Sequence, residues 1–334
     1  MKILIVRVGA MGDVLHALPA VAALREARPD WQIDWVIDPR WAPLLVDDGG
    51  RGPVVNRVYQ AETKLWSKAP ASMTTMRSIR ELRKALRSKR YDVVVDMQGT
   101  LRSAVIGWMA GGRVFAGYGD PRERLAARFY SRKLRRNGTH VVEQGAALLG
   151  EACGMSLEPR AVELPQEAWA DHWAEELVGD RRLCLLAAGA GWGAKRWPTE
   201  RFGLLAMELA TLGLVAVVNA SRAGDALATE VVAKSEGAAQ QVVCNVAGLI
   251  ALVRRVKVLV GGDSGPMHLA AALGIPVVAL FGPTDPARNG PWGPGAKVVI
   301  RDAAAVTSYK RVEADAGLGS VSVDEVVAAV RRVV

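Results

Sequence analysis

The chain has 334 residues, a length that suits two domains. Its mean hydropathy is +0.13, and no stretch has the charge-free apolar length of a membrane span. It enters a strand-like segment at once, without the ordered regions of a signal peptide, which predicts a cytoplasmic protein. Cys153, Cys184 and Cys244 lack metal-ligand spacing and lie in apolar segments, so they are interpreted as buried free thiols.

The net charge of +9 belongs entirely to the first half of the chain. Residues 1–165 carry 26 Lys and Arg against 17 Asp and Glu, whereas residues 166–334 carry 17 of each. This asymmetry indicates an anionic partner for the first half: membrane headgroups, an acidic substrate or nucleic acid. Charge kept only for solubility is the alternative interpretation.

Strands alternate with helices through the first half, which predicts a doubly wound parallel sheet. The strand at residues 2–8 leads into a turn with Gly9 and Gly12, and Asp13 follows directly before a helix over residues 14–28. Asp13 therefore stands at the carboxyl end of the first strand, where open α/β sheets bind their ligands. An ordinary helix N-cap is the alternative role.

Basic side chains follow later strands of the same half. The pattern breaks over residues 60–75, which are predicted to form a loop carrying Lys64 and Lys68 on either side of a tryptophan. This arrangement suits a sugar acid or a phosphate, and equally a plain solvated loop. Arg102 lies in the first turn of a predicted helix over residues 101–110, where a cation opposes the helix dipole and so favours a ligand-binding role.

Residues 119–137 are strongly basic with interleaved aromatic side chains. The pattern is typical of amphipathic basic helices that face membrane surfaces or acidic ligands. A proline-containing linker at residues 158–165 then precedes a second α/β series. Neither half contains GxGxxG with an acidic residue in register downstream, which argues against a nicotinamide dehydrogenase.

A glycine-rich turn at residues 188–194 follows the first strand of the second series and precedes Lys195. The helix over residues 199–211 begins there, with Thr199 as its predicted N-cap. The spacing is not that of a Walker loop, yet Lys195 could neutralise a diphosphate as a point charge.

Residues 256–286 give the clearest strand–helix–strand pattern of the chain. Asp263 and Ser264 are predicted N-cap residues and Pro266 suits the first helical position. The N–H groups at such a helix start bind phosphate together with the helix dipole. The alternative is a capped helix of the kind found in any α/β protein.

Four segments in chain order carry a resemblance: Arg7-Val-Gly-Ala-Met-Gly-Asp13, Ala194-Lys-Arg-Trp-Pro198, Asp263-Ser-Gly-Pro-Met-His268 and Phe281-Gly-Pro-Thr-Asp285. Together they resemble glycosyltransferase family nine, the ADP-heptose:lipopolysaccharide heptosyltransferases. The segments around Trp66, Asp96–Ser103 and Pro121–Lys133 most resemble its heptosyltransferase I branch. The resemblance implies a GT-B fold, with two Rossmann-like doubly wound α/β domains facing across a cleft. Residues 1–160 would bind the acceptor, residues 161–320 would bind the nucleotide-sugar donor, and residues 321–334 would form a C-terminal helix.

The resemblance also implies an inverting, metal-independent enzyme without a cofactor. It would move L-glycero-D-manno-heptose from ADP-heptose to Kdo of the lipopolysaccharide inner core, on a lipid A acceptor, while held peripherally at the cytoplasmic face of the inner membrane. A family-nine transferase with another nucleotide sugar or acceptor, such as one adding the second heptose, is the first alternative. A non-catalytic, basic nucleic-acid-binding protein is a remote one, which no recognised motif supports.

By the same resemblance, Asp13 is the expected general base, Lys195 the cation at the diphosphate, and Asp263 the acid that holds donor sugar hydroxyls. The other expected donor-binding residues are Gly12, Gly191, Ser264, Gly265, Pro266, Met267 and His268. Kdo carboxylates and lipid A phosphates are expected to meet Lys64, Lys68, Arg102 and Arg122. The segment at residues 219–225 departs from the glycine-rich acidic turn of relatives, which leaves the ribose contact and the nucleotide base open.

Overall fold

The computed structural model describes residues 1–309 and 316–334. The chain divides into two compact units, Met1–Pro165 and Gln166–Val334, and each unit is built on its own six-stranded parallel sheet. The boundary falls at the end of the proline-containing segment at residues 158–165. Both units have the doubly wound α/β architecture that the alternation of strands and helices predicts.

The first unit alternates strands and helices throughout. Its strands β1 to β6 are Lys2–Val6, Gln32–Ile37, Arg57–Gln60, Val93–Asp96, Val114–Tyr118 and Arg132–Leu134. Its helices α1 to α5 are Met11–Ala27, Thr63–Lys68, Met73–Lys89, Leu101–Ala110 and Val141–Cys153. Two 3₁₀ helices cover Pro39–Leu44 and Arg124–Arg128.

The strand order of this sheet is β3-β2-β1-β4-β5-β6, so the chain winds outward from β1, returns beside it, and winds outward again from β4. The topological switch point therefore lies between β1 and β4. Ile3, Leu4 and Ile5 of β1 are fully buried, as expected for a central parallel strand covered on both faces. Helix α1 packs against α5, while α3, α4 and the 3₁₀ helix Arg124–Arg128 share a separate core with the sheet.

The second unit repeats this design. Its strands β7 to β12 are Leu183–Ala187, Val215–Ala220, Ala239–Val243, Val258–Gly262, Val277–Phe281 and Lys297–Arg301. Its helices α6 to α12 are Ala168–Val178, Thr199–Thr211, Ala226–Lys234, Val246–Val253, Gly265–Ala272, Pro286–Asn289 and Val323–Arg331. The strand order β12-β11-β10-β7-β8-β9 puts the switch point between β7 and β10. The last helix, α12, packs on α7 within this unit.

Two segment predictions for the first unit are wrong. Residues 60–75 are not one loop, because they contain α2 and the start of α3, and Trp66 is buried in the core beneath them. Residues 119–137 do not form an amphipathic helix. They contain the 3₁₀ helix Arg124–Arg128 and the edge strand β6, and the Tyr130 hydroxyl between these elements donates to buried Asp96.

Three predictions of detail also need correction. Helix α1 begins at Met11, so Asp13 is its third residue and Ala10 occupies the N-cap position. Helix α7 is capped by Pro198, and Thr199 is its first residue. Only Cys184 is fully buried, since Cys153 and Cys244 are partly exposed; all three are free thiols.

Candidate functional site

The predicted site residues follow the carboxyl ends of strands next to the two switch points. In the first unit, Asp13 follows β1 and Arg102 follows β4. In the second unit, Lys195 follows β7 and Asp263 follows β10. Parallel strands end at a common edge, and ligands of open α/β sheets bind in the crevice where the strand order reverses. The two units thus each provide one candidate site, described separately below.

Asp13 is held at the start of α1 by two partners. Its Oδ1 forms an ion pair with Nη2 of Arg7 at 2.9 Å, and its Oδ2 accepts a hydrogen bond from the backbone N–H of Ala10 at 3.2 Å. The Asp13 side chain remains 40% exposed, whereas that of Arg7 is only 15% exposed. Gly12, the second residue of α1, precedes it directly. A fixed, solvent-accessible carboxylate in this position can accept a proton.

The turn that carries Asp13 is supported from the neighbouring strand β4. Gln98 Oε1 accepts hydrogen bonds from the N–H groups of Val8 and Gly9, at 2.8 and 3.4 Å. Arg7 donates through Nη1 to the carbonyl of Met97. Residues at the end of β4 therefore fix both the turn after β1 and the guanidinium that contacts Asp13.

The end of β4 is itself organised by buried Asp96. Its carboxylate accepts hydrogen bonds from the N–H groups of Gln98 and Gly99 and from the hydroxyls of Ser103 and Tyr130, all within 3.0 Å. Burial raises the pKa of Asp96, although these hydrogen bonds oppose the shift. Asp96 thereby joins the turn after β4 to helix α4.

The four predicted acceptor-side cations lie on segments that follow β3, β4 and β5. Arg102, in the first turn of α4, donates through Nη1 to Thr63 Oγ1 at 3.3 Å, which joins the starts of α4 and α2. Lys64 and Lys68 are exposed residues of that same short helix α2. Arg102 is therefore partly used in a structural contact, although its side chain is exposed.

Two further observations describe the surroundings of Lys64 and Arg122. Burial would raise the pKa of Asp38, which follows β2, but hydrogen bonds from Arg40 and the charges of Arg40 and Lys64 outweigh it and lower that pKa. The backbone of Arg122 packs against Gly99, where a Cβ would stand 3.2 Å from the Arg122 nitrogen. The side chains of Lys64, Arg102 and Arg122 are thus carried by neighbouring segments, while Lys68 lies at the end of α2.

Lys195, Asp263 and His268 form one charged cluster in the second unit. Lys195 Nζ donates to Asp263 Oδ2 at 2.5 Å, and His268 Nε2 lies 2.9 Å from Asp263 Oδ1. The ammonium group also lies over the ring of Trp192, 4.8 Å from its centroid. Burial would raise the pKa of Asp263, but the hydrogen bonds and charges of His268 and Lys195 outweigh it and hold that pKa well below its usual range.

Close backbone packing fixes the Lys195 turn against the end of β10. A Cβ on Gly262 would stand 2.4 Å from the carbonyl oxygen of Lys195, so only glycine fits there without moving the turn. Gly191 lies earlier in the same turn and has open space where a side chain would stand. The turn is therefore anchored at Lys195 and open at Gly191.

Helix α10 begins next to Asp263 with an N-terminus that no side chain caps. Ser264 is its N-cap residue, yet the Ser264 Oγ makes no capping bond and has no hydrogen-bond partner among the described residues. The next residues of the helix are Gly265, Pro266, Met267 and His268. N–H groups of a first helical turn have no acceptor within the helix and lie at the positive end of its dipole. This helix start can therefore bind an anionic group such as a phosphate.

Sequence reasoning missed several residues that the structure brings to these sites. Arg7 lies in one of the four segments that carry the resemblance, but nothing in the spacing of Arg7 and Gln98 predicts that they support the Asp13 turn. Thr284 follows β11 and is 2% exposed, and its Oγ1 has no hydrogen-bond partner within the described part of the chain. A buried hydroxyl without a partner, one strand away from Ser264, is a further candidate for a ligand contact.

Two kinds of feature are absent from residues 1–309 and 316–334. Within these ranges, no three His, Cys, Asp or Glu side chains form a group that could hold a metal ion. No helix within the same ranges combines the length and apolar character needed to cross a bilayer.

Comparisons with known proteins identify the family to which the chain belongs. The sequence profile of glycosyltransferase family 9 (heptosyltransferase) matches residues 79–316. Lipopolysaccharide heptosyltransferase 1 of Pseudomonas aeruginosa is 32% identical over 302 residues, which cover 88% of this chain and 82% of the relative. The same enzyme of Escherichia coli K12 is 30% identical over 307 residues, covering 88% and 91%.

Solved structures give the same answer over the whole chain. E. coli heptosyltransferase WaaC with ADP is 27% identical, aligns over 100% of both chains and has a TM-score of 0.81. E. coli ADP-heptose LPS heptosyltransferase II, 23% identical over 100% and 98% of the two chains, shares the fold with a TM-score of 0.78. The chain has the GT-B fold and belongs to glycosyltransferase family 9, the heptosyltransferases.

Proposed function

We propose that the chain transfers L-glycero-D-manno-heptose from ADP-heptose to Kdo of the lipopolysaccharide inner core, with inversion at the anomeric carbon. The relatives named lipopolysaccharide heptosyltransferase 1 support the lipopolysaccharide acceptor. For the donor, two structures titled as WaaC with ADP and with ADP-2-deoxy-2-fluoro heptose support an ADP-linked heptose.

The observation that carries the proposal is the Lys195–Asp263–His268 cluster beside the uncapped start of α10. Lys195 supplies a cation and α10 supplies N–H donors for the two phosphates of a nucleotide diphosphate. Asp263 is ionised beside them and can accept hydrogen bonds from hydroxyls of the donor sugar. Gly191 leaves room for the nucleotide to pass close to the backbone. These features suit a charged donor whose leaving group is a diphosphate.

In the acceptor half of the reaction, Asp13 is the general base. A Kdo hydroxyl attacks the anomeric carbon from the face opposite ADP, the bond from that carbon to the diphosphate oxygen breaks, and the hydroxyl proton moves to Asp13. Arg7 and the N–H of Ala10 hold the carboxylate in place before the reaction. Lys64, Lys68, Arg102 and Arg122 meet the carboxylates and phosphates of the acceptor.

The transition state of such a transfer resembles an oxocarbenium ion, while negative charge builds up on the departing diphosphate. N–H donors and the Lys195 ammonium that are already oriented stabilise this charge without reorganisation. We propose on this basis that the reaction needs no metal ion. The lipid-linked acceptor would place the enzyme peripherally at the cytoplasmic face of the inner membrane.

Another family-nine donor or acceptor is the remaining alternative, because the 219–225 segment carries no recognisable ribose contact. Membership of a glycosyltransferase family leaves no need for the nucleic-acid-binding hypothesis.

The deciding experiment incubates the purified chain with Kdo-lipid A and a panel of ADP-, UDP- and GDP-linked sugars. ADP release and a product heavier by one heptose are expected only with ADP-heptose. Consumption of another sugar would change the donor, and transfer only to an acceptor that already carries heptose would change the acceptor.

A further inference from the structure

One layer of the first unit carries most of its exposed apolar bulk. This outer layer consists of α2, α3, α4 and the 3₁₀ helix Arg124–Arg128, which pack on one face of the sheet. Among residues 1–165, all of which the structure describes, six of the seven exposed large hydrophobic side chains lie on it, and only Met1 does not. They are Leu65, Met73, Met76, Leu101, Trp108 and Leu125.

Helix α4, which carries two of these side chains, packs against the 3₁₀ helix that carries a third. Leu101, Val105 and Trp108 are spaced i, i+4 and i+7 along α4, so they share one outward stripe of the helix. Trp108 meets the ring of Phe129 edge to face, with ring centroids 6.3 Å apart. Leu125 lies in the 3₁₀ helix that ends directly before Phe129. We call these five residues the Trp108 patch.

The excess positive charge of the first unit lies in the segment that contains this layer. Residues 63–136 carry 18 Lys and Arg against 5 Asp and Glu, whereas the rest of residues 1–165 carries 8 against 12. Exposed cations of the outer layer are Lys64, Lys68, Arg77, Arg80, Arg83, Lys84, Arg87, Arg102, Arg124 and Arg128. Cations thus outnumber acids in the layer that carries the apolar patch, although exposed Glu123 accepts a hydrogen bond from the Leu101 N–H at its edge.

We propose that the Trp108 patch and the cations around it form the surface by which this protein binds an anionic lipid bilayer. Tryptophan and aliphatic side chains enter the headgroup boundary, while Lys and Arg attract anionic lipids. Pairing with a second copy of the chain would bring two such basic surfaces together, which opposes it. The inference rests on the proposed function in one respect, since a lipid-linked acceptor is presented at a bilayer.

The test is flotation of the full chain with vesicles of phosphatidylethanolamine and phosphatidylglycerol, compared with phosphatidylcholine vesicles. The patch variant is Trp108→Ala with Leu125→Ala, side chains that are 53% and 51% exposed. The matched control is Trp169→Ala with Leu204→Ala in the second unit, which are 48% and 50% exposed. Binding of the patch variant should be at least about tenfold weaker, because the two side chains lose their burial in lipid. The control variant should bind the vesicles like the unchanged protein. Added salt should weaken vesicle binding of the control variant and of the unchanged protein.

A second pair of variants distinguishes the loss of a lipid contact from a folding defect. Leu125→Glu places a negative charge in the patch, and Leu204→Glu does the same in the second unit. Selective loss of vesicle binding in Leu125→Glu, at unchanged thermal unfolding, supports the proposal. The proposal is overturned if each patch variant binds anionic vesicles as strongly as its control variant in the second unit. It is also overturned if the unchanged protein does not bind these vesicles. A dimer that the patch variants convert to monomer also overturns it, because a second copy then covers the patch.

An activity measurement separates this inference from the proposed function. On a water-soluble Kdo oligosaccharide the patch variant should transfer heptose at the unchanged rate, and on Kdo-lipid A in anionic vesicles it should be slower. If the unchanged protein transfers heptose to neither acceptor, the proposed function fails, and flotation still decides whether the patch binds lipid.

Discussion

Lys195 Nζ and Asp263 Oδ2 are 2.5 Å apart, and the two side chains are 17% and 8% exposed. The cation expected at the diphosphate is therefore already engaged by a buried carboxylate before any donor arrives. Phosphate oxygens would have to share this ammonium with Asp263, whose other oxygen lies 2.9 Å from His268 Nε2. The pair both holds Lys195 in place and lowers the cost of keeping Asp263 ionised inside the protein.

Replacing Lys195 with Ala should weaken ADP binding roughly tenfold or more, because a hydrogen bond to a charged group contributes about 1.5–3 kcal/mol. It should also reduce the free energy of unfolding by about 1–3 kcal/mol, since Asp263 loses one of its two partners. Calorimetric titration with ADP and urea denaturation measure the two effects.

The matched control is Lys234→Ala. In the unchanged protein, the Lys234 ammonium lies 3.9 Å from a carboxylate oxygen of Glu200, and both side chains are about half exposed. It should change neither ADP affinity nor stability measurably. Unchanged ADP affinity in Lys195→Ala would remove this residue from the donor site.

Replacing Gly262 with Ala should displace the Lys195 turn, because the new Cβ would stand 2.4 Å from the Lys195 carbonyl oxygen. Overpacking of this kind costs about 1–3 kcal/mol and should weaken ADP binding as well. Thermal unfolding and ADP titration measure both effects. Gly191→Ala is the comparison, because its Cβ meets no atom within 4 Å, so its stability should not change. Equal stability of the two variants would contradict the close packing at Gly262.

The sequence predicts the second site better than the first. Lys195, Asp263 and His268 lie in short segments that follow strands β7 and β10, and parallel strands end at the same edge, so their meeting could be anticipated. The support of the Asp13 turn by Arg7 and Gln98 could not be anticipated from the sequence. It depends on the directions of side chains in the turn after the neighbouring strand β4. Strand–helix alternation indicates which segments adjoin, but it does not say which side chains touch.

The errors in the first unit have a common physical origin. Helix α2 is only six residues long and has no N-cap side chain, so local propensity gives little signal. It forms because Trp66 and Thr63 are buried against the sheet. Residues 119–137 have a helical charge pattern, yet Tyr130 bonds to buried Asp96 and Leu134 joins the edge strand. Tertiary contacts decide the structure of both segments.

The three thiols should react slowly with iodoacetamide at neutral pH. Burial raises the pKa of Cys244 to about 11 and, against the charge of Arg132, that of Cys153 to about 12, and it raises the pKa of Cys184 further. Since the thiolate is the reactive form, alkylation should accelerate about tenfold per pH unit between pH 7 and 9, with Cys244 modified first. Mass spectrometry of timed samples gives the order. A rate that levels off below pH 9 would contradict these raised pKa values.

Removal of divalent metal should leave heptose transfer unchanged. Lys195 and the N-terminus of α10 supply the positive electrostatic environment that a metal provides elsewhere. The measurement is the initial rate after dialysis against excess EDTA, compared with the same sample supplied with Mg²⁺. A rate that falls on chelation and returns with Mg²⁺ would contradict metal independence.

Asp13→Asn is the test of the general base. Asn keeps only one of the two contacts through its single oxygen, since its NH₂ group faces the other donor, and it cannot take up the acceptor proton. The rate of transfer should fall by on the order of a hundredfold or more. The free energy of unfolding should change by less than about 1 kcal/mol, because Asp13 is 40% exposed and its ion pair is partly screened. Kinetics, ADP titration and urea denaturation together give the result.

Arg7→Met separates positioning from chemistry at the same carboxylate. Arg7 fixes the direction of Asp13 without being a proton acceptor, so its removal should lower kcat while leaving the KM for the donor unchanged. Its effect should be smaller than that of Asp13→Asn, and the double variant should be no slower than Asp13→Asn alone, because a base that is absent cannot be misplaced. An Asp13→Asn protein with near-normal turnover would mean that the proton goes to another group, and additive losses would give Arg7 a role independent of Asp13.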